Sequence, residues 1–199
     1  MKRLLSIFDL TGKWSEPYRK EGWEVFRLDI QLGFDLHQWN YRALPRDYFN
    51  GILIAQPCTD FAISGAKHFE RKDADGSTLE SLSLVYKSLA IVQYFREGIS
   101  FWTLENPMSR IHKLAPELGD IKFKFHPYEF AGYTELEEDR YCKTTWLWGE
   151  FNEPVSDPRE PLSKDNPGWR NLGGSSIKTK NGRSKTPSGF ANAFYQMNK

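Results

Sequence analysis

A cysteine directly after a proline, Pro57-Cys58, closes the apolar run Gly51-Ile52-Leu53-Ile54-Ala55 and opens Thr59-Asp60-Phe61-Ala62-Ile63-Ser64-Gly65. An apolar run this short, ended by proline, reads as a buried parallel strand. Its thiol would then emerge at the carboxyl edge of a sheet, where open α/β folds bind ligands. A thiol there can be a nucleophile, or the small buried hydrophobe that cysteine commonly is. A second such run, Ile99-Ser100-Phe101-Trp102-Thr103-Leu104, ends in Glu105-Asn106-Pro107. Arg3-Leu4-Leu5-Ser6-Ile7-Phe8 leads into Asp9-Leu10-Thr11-Gly12-Lys13-Trp14, and Glu24-Val25-Phe26-Arg27-Leu28 ends in Asp29-Ile30. Four strands that each end in a polar or reactive cluster are the expected layout of a site on an α/β sheet.

The elements between these strands read as helices. Ser15-Glu16-Pro17 is a helix start and Gly22 a stop, and Leu82, Val85, Leu89 and Val92 recur at helical spacing. Residues 35–47 carry turn and cap residues. The alternation predicts a doubly wound, mostly parallel sheet with helices on both faces. Residues 121–126 and 144–151 are expected to complete one edge. Two stretches lack regular periodicity. Residues 66–77, charged through Lys67, Glu70, Arg71, Lys72, Asp73 and Asp75, read as a mobile loop over the site or a solvated surface loop. Residues 152–187 are rich in Pro, Gly, Ser and Asn, and within them Lys164, Arg170, Lys178, Lys180, Arg183 and Lys185 have one nearby acid, Asp165. That basic run could track phosphates, with Trp169 as a stacking residue, or be a flexible solvated segment.

The 199 residues suit one domain with a single substantial core, and the formal net charge of +1 advertises no nucleic-acid partner by itself. Only two cysteines occur, Cys58 and Cys142, neither with metal-ligand spacing, which argues against a disulfide scaffold or a structural zinc site. Cys142 reads as structural. No signal peptide or run of transmembrane length is evident, so the expected location is cytoplasmic.

In order and in kind, the set Phe8 and Gly12, Asp29, Cys58 and Glu105 resembles the DNA cytosine-5 methyltransferases. The specific parts are Pro57-Cys58-x-x-Phe61-x-x-x-Gly65 and Glu105-Asn106; the match spans roughly residues 3–110, with a weaker echo at Thr186-Pro187-Ser188-Gly189-Phe190. The resemblance implies a sheet of the S-adenosylmethionine-dependent methyltransferase type and transfer of a methyl group to carbon 5 of cytosine in DNA. Carbon 5 is a poor nucleophile until a thiolate adds to carbon 6, the role implied for Cys58. Glu105 would stabilise charge at the N3 side and accept from the exocyclic amine. The base must be flipped out or already unpaired. Asp60 would oppose thiolate formation if it faced the sulfur, unless it caps the next segment or pairs with Lys67.

For the cofactor, Gly12 lets the backbone approach a ligand closely, and Asp29, twenty-one residues after Phe8, stands near the distance expected for an acid on a ribose hydroxyl. The resemblance adds Phe8 and Ile30 on either side of adenine, Asp35 on its amine, and Ser188 at a helix start. As residues alone, Phe8 and Ile30 could be core, and Asp35 or Ser188 a helix cap. Leu10 stands where the family usually has glycine, Ala62 where it has serine, and Pro107 where it has a branched residue. Its Gln-Arg-Arg-x-Arg signature is represented at best by Arg140-Tyr141-Cys142-Lys143, with Lys143 in the arginine's role. A separate target-recognition domain is missing, as in compact phage and prophage methyltransferases. Recognition would therefore be relaxed, restricted to single strands, or supplied by a partner protein. The same chemistry on RNA or a free cytosine nucleotide, and a non-catalytic binding subunit, are the alternatives.

Overall fold

The computed structural model describes residues 1–162, 181–182 and 184–199. Its frame is a six-stranded sheet in the order β2-β1-β3-β4-β6-β5. The strands are β1 (Arg3–Ile7), β2 (Glu24–Leu28), β3 (Gly51–Ala55), β4 (Phe101–Pro107), β5 (Phe123–Phe125) and β6 (Thr145–Glu150). The first four run parallel, while β6 lies antiparallel between β4 and β5. The α/β class and the mostly parallel sheet agree with the pattern of apolar runs. The reversed β6 is a feature that the runs do not announce.

The two faces of the sheet follow the pleat, in which alternate residues point opposite ways. Leu5, Ile7, Ile52, Ile54, Leu104 and Trp148 pack on one face against α3 (Ser77–Tyr94) and α4 (Ile111–Leu114), through Val85, Ile91, Val92 and Ile111. On the other face, Leu4, Leu53, Phe101 and Leu147 pack against α1 (Glu16–Lys20) and the C-terminal α5 (Ser188–Met197), through Tyr18, Phe190 and Phe194. Both faces of β1, β3 and β4 are therefore covered, which is why their sequences run apolar rather than alternate.

Two expectations are corrected. The charged stretch 66–77 is not an irregular loop: it belongs to a 3-10 segment (Ile63–His68), then α2 (Phe69–Ala74) and the start of α3. Its charges are used locally. Lys72 Nζ lies 2.8 Å from Asp60 Oδ1, and Arg110 Nη2 lies 2.7 Å from Asp73 Oδ1. Nor is all of 152–187 loose. Asp157 N donates to Glu129 O at 2.9 Å, and Arg159 N to Tyr128 O at 3.0 Å, so the start of that stretch is stitched to the segment Pro127–Tyr133. The remaining basic calls, Lys164, Arg170, Lys178, Lys180 and Arg183, together with Trp169, lie outside the described residues.

Gly149 makes the antiparallel β6 possible. It faces Thr103 with φ +125°, and a Cβ there would run into the carbonyl oxygen of Trp102. Gly149→Ala is accordingly expected to destabilise the fold by about 3 kcal/mol, from strained backbone plus a clash in mid-sheet. Urea denaturation of the variant beside the wild type checks this.

Candidate active site

Connection order fixes where the chain leaves room for a ligand. From β1 the chain moves to β2 on one side, then crosses back to β3 on the other, so the crevice opens at the carboxyl ends of β1 and β3. A cleft lies there, enclosing about 600 Å³ of empty space, part of it open to solvent. Phe8, Cys58, Glu105 and Lys143 all line it. Three strand ends and the loop before β6 thus bring together the proposed nucleophile, acid and cation. Phe125 and Phe190, stacked at 3.9 Å, and residues 184–187 complete the wall.

The cysteine segment is held by its backbone. Cys58 O accepts from Phe61 N at 3.1 Å and Ala62 N at 2.9 Å. The buried Asn106 donates through Nδ2 to Gln56 O at 3.0 Å, tying the end of β4 to the strand that delivers the thiol. Asp60 pairs with Lys72, not with Lys67, and its other oxygen accepts from the Ser81 hydroxyl at 2.5 Å. Its charge is therefore met by an ion pair with Lys72.

Glu105 is pushed above the usual carboxylate range by loss of solvent, with the Lys143 ammonium pulling it back. A carboxyl so placed keeps its proton to higher pH than an ordinary one and is the better suited to act as a donor. Lys143 is partly exposed in the same cleft, a point charge rather than a planar fork.

The remaining named residues divide. Phe8 has φ 61°, a left-handed conformation unusual for a residue with a side chain, and its N–H donates to Leu28 O at 2.7 Å. That backbone turns Phe8 out of the strand at the cleft. Asp29 sits at the end of β2, where its Oδ1 accepts from Gln31 N at 2.8 Å and burial pushes its carboxyl up. Ile30, beside it, is 68% exposed and therefore not core. Asp35 accepts from His37 N at 2.9 Å, the turn-forming role open to it from sequence. Gly12 is not among the residues that line this cleft. With φ +68°, its bare Cα accommodates Arg27, whose Nη1 would stand 2.7 Å from a Cβ. Its freedom serves that packing and the turn after β1. Ser188 opens α5 directly behind the cleft-lining Pro187.

Several contributors were not singled out from sequence. Asp9 pins the loop after β1, accepting from the Ser15 hydroxyl at 2.6 Å and the Ser6 hydroxyl at 3.0 Å. Lys185, by contrast, belongs to the basic run read from the sequence, and it adds a second cation to the wall. Asp139, 3% exposed, accepts from Gly189 N at 2.7 Å at the start of α5, and burial pushes its carboxyl up to about 6. Only spacing in three dimensions links it to a helix fifty residues away.

Asp139 gives a signed pH dependence. Its folded form holds a proton more tightly than its unfolded form, so the associated stability is present at low pH. It is lost as pH rises from the ordinary aspartate value of about 3.9 to about 6, by on the order of 3 kcal/mol. Asp139→Asn keeps an acceptor for Gly189 while removing the charge. It is expected to flatten the fall in stability between pH 4 and 7, measured by urea midpoints across roughly that window.

Among the described residues, no group of three or more His, Cys, Asp or Glu side chains could hold a metal ion, and no helix is long and apolar enough to cross a membrane. The comparisons with protein-family models and with curated proteins find no match to this chain.

Proposed function

We propose that this protein transfers a methyl group from S-adenosylmethionine to carbon 5 of cytosine in DNA, through a covalent adduct with Cys58. The observation that carries the reading is the convergence of Cys58, Glu105 and Lys143 on one cleft at the switch point of the sheet. These side chains come from separate segments, and a purely structural role for each would not require them to meet.

The residues near the first two strands suit the cofactor's chemistry. Phe8 offers an aromatic face in the cleft, Ile30 an exposed apolar side chain, and Asp29 a carboxyl at the end of β2 for a ribose hydroxyl. S-adenosylmethionine would supply an electrophilic methyl group there. The chain's own residues do the rest. Cys58 Sγ, as thiolate, adds to carbon 6 of the base. Glu105, whose hold on its proton is strengthened by its poorly solvated position, donates at N3 and so neutralises the charge that addition drives into the ring. Lys143 holds the ring oxygen side by charge. Once carbon 5 carries the methyl group, with S-adenosylhomocysteine as the departing thioether, the carbon 5 proton leaves to solvent. The bond from carbon 6 to Cys58 Sγ breaks, N3 returns its proton to the Glu105 carboxylate and Cys58 is restored as thiolate. The Phe125 and Phe190 rings keep the far wall apolar, which strengthens each electrostatic contact in the cleft.

Labelled methyl transfer to unmethylated DNA, followed by hydrolysis to nucleosides, tests the reading. Label in 5-methylcytosine is the expected result, and label in another base or in none contradicts it.

A further inference from the structure

On leaving β2 the chain runs back along α3 before it enters β3. The His37 ring Nε2 lies 3.1 Å from Ser83 Oγ, Lys87 Nζ donates to His37 O at 3.5 Å, and the Tyr94 hydroxyl donates to Leu44 O at 2.9 Å. Ser83, Lys87 and Tyr94 follow one stripe of the helix. Leu36, Tyr41 and Phe95 are buried in the core beneath them. Residues 36–46 and α3 thus form one firm outer surface, and none of them lines the cleft.

The charge on this surface has one sign. Residues 36–46 hold Arg42 and Arg46, and residues 81–96 hold Lys87 and Arg96, with no Asp or Glu in either stretch. Asp35, Asp47 and Glu80 stand only at the borders. Arg96 is taken by Glu150. Arg46 meets Glu97 at 3.8 Å, but with side chains 60% and 73% exposed that pair is weak. Among the described residues, Arg42 and Lys87 form no ion pair with a carboxylate. Both lie on the Tyr41 ring, the guanidinium 5.5 Å and the ammonium 4.9 Å from its centroid, while Arg46 lies 5.1 Å from the centroid of Tyr94. A cation laid over a ring is held in place while its outward N–H groups stay open to an anion.

Two observations select the partner. Residues 36–46 and 87–96 expose no large apolar side chain, so the anchors that a protein interface uses are missing. Tyr41 is only 5% exposed and carries two cations, so it offers no open ring on which unpaired bases would stack. What remains is a set of pinned cations, which matches the phosphate backbone of a duplex. We propose that Arg42, Lys87 and Arg46 hold the backbone of double-stranded DNA on this surface, outside the cleft and without regard to base sequence. The methylation reading supplies only the choice of DNA over RNA; the surface itself does not depend on it.

Fluorescence anisotropy of the full chain with a labelled duplex of arbitrary sequence, titrated at several salt concentrations, tests the surface. The double variant Arg42→Gln, Lys87→Gln is expected to bind about tenfold more weakly near 0.1 M salt, with the slope of log affinity against log salt shallower by about two. Its melting temperature should match that of wild type. The control Lys20→Gln, Lys113→Gln removes the same charge from exposed positions on α1 and α4 and should bind like wild type. No measurable binding by wild type, an unchanged affinity in the first variant, or an equal loss in the control overturns the surface. Tighter binding of duplex RNA than of duplex DNA overturns DNA as its partner. Methyl transfer is measured in parallel. Its absence from wild type, alongside DNA binding that still depends on Arg42 and Lys87, overturns the methylation reading and leaves the surface standing.

Discussion

Cys58→Ala is expected to reduce methyl transfer by at least about 10³-fold while leaving S-adenosylmethionine binding within about twofold. The size of the loss follows from the chemistry. Without a sulfur to add at carbon 6, carbon 5 keeps the low nucleophilicity of an aromatic ring position, and no other residue among those lining the cleft replaces a thiolate. The fold should survive the change. Backbone contacts that hold the segment, from the Cys58 carbonyl to Phe61 and Ala62 and from the Gln56 carbonyl to Asn106, do not depend on the side chain at position 58. Transfer assays and calorimetric titration with the cofactor separate the two effects. Loss of both activities together would place Cys58 in the architecture of the cleft instead of in the reaction.

Glu105→Gln should cost roughly 10²- to 10⁴-fold in kcat, the range for removing a positioned proton donor. The sign of its pH dependence is more diagnostic than the loss. Burial raises the Glu105 carboxyl and Lys143 lowers it, so the protonated donor persists to higher pH than in an ordinary carboxyl and is lost as pH rises through its folded value. The rate should therefore fall on the alkaline side of that value. Lys143→Met removes the ammonium that favours the carboxylate, which should move this fall to higher pH as well as weaken turnover. A pH profile of kcat for wild type and Lys143→Met checks the coupling, and a limb that stays in place would separate the two residues functionally.

How much of this was readable in the chain depends on which interactions decide each part. The ends of β1, β2, β3 and β4 were legible because each is a short apolar run stopped by a polar residue or a proline. The sheet then places such ends along one edge. Phe8, Cys58 and Glu105 meet in the cleft for that reason, and the loop before the antiparallel β6 brings Lys143 to them. The helical character of 63–74 was hidden. Lys72 and Asp73, which look like solvated charge in sequence, answer Asp60 and Arg110 from other segments. Gly12 reads in sequence as room for a ligand; in the fold its φ of +68° makes the turn after β1, and Arg27, carried on the adjacent strand, packs against its bare Cα. The direction of β6 is set by its pairing with β4 and β5 and by the backbone of Gly149, none of which leaves a trace in hydrophobic periodicity. Asp139 escaped notice because a cap supplied from a distant segment carries no local signature.

The most direct test of the central claim is incubation of the protein with methyl-labelled S-adenosylmethionine and unmethylated DNA, single- and double-stranded, with Cys58→Ala in parallel. Label recovered as 5-methylcytosine from wild type, and absent from the variant, is the predicted result. Label from the variant at the wild-type rate, or no label from wild type on either form of DNA, would contradict the assignment of Cys58 as the nucleophile of a DNA cytosine methyltransferase.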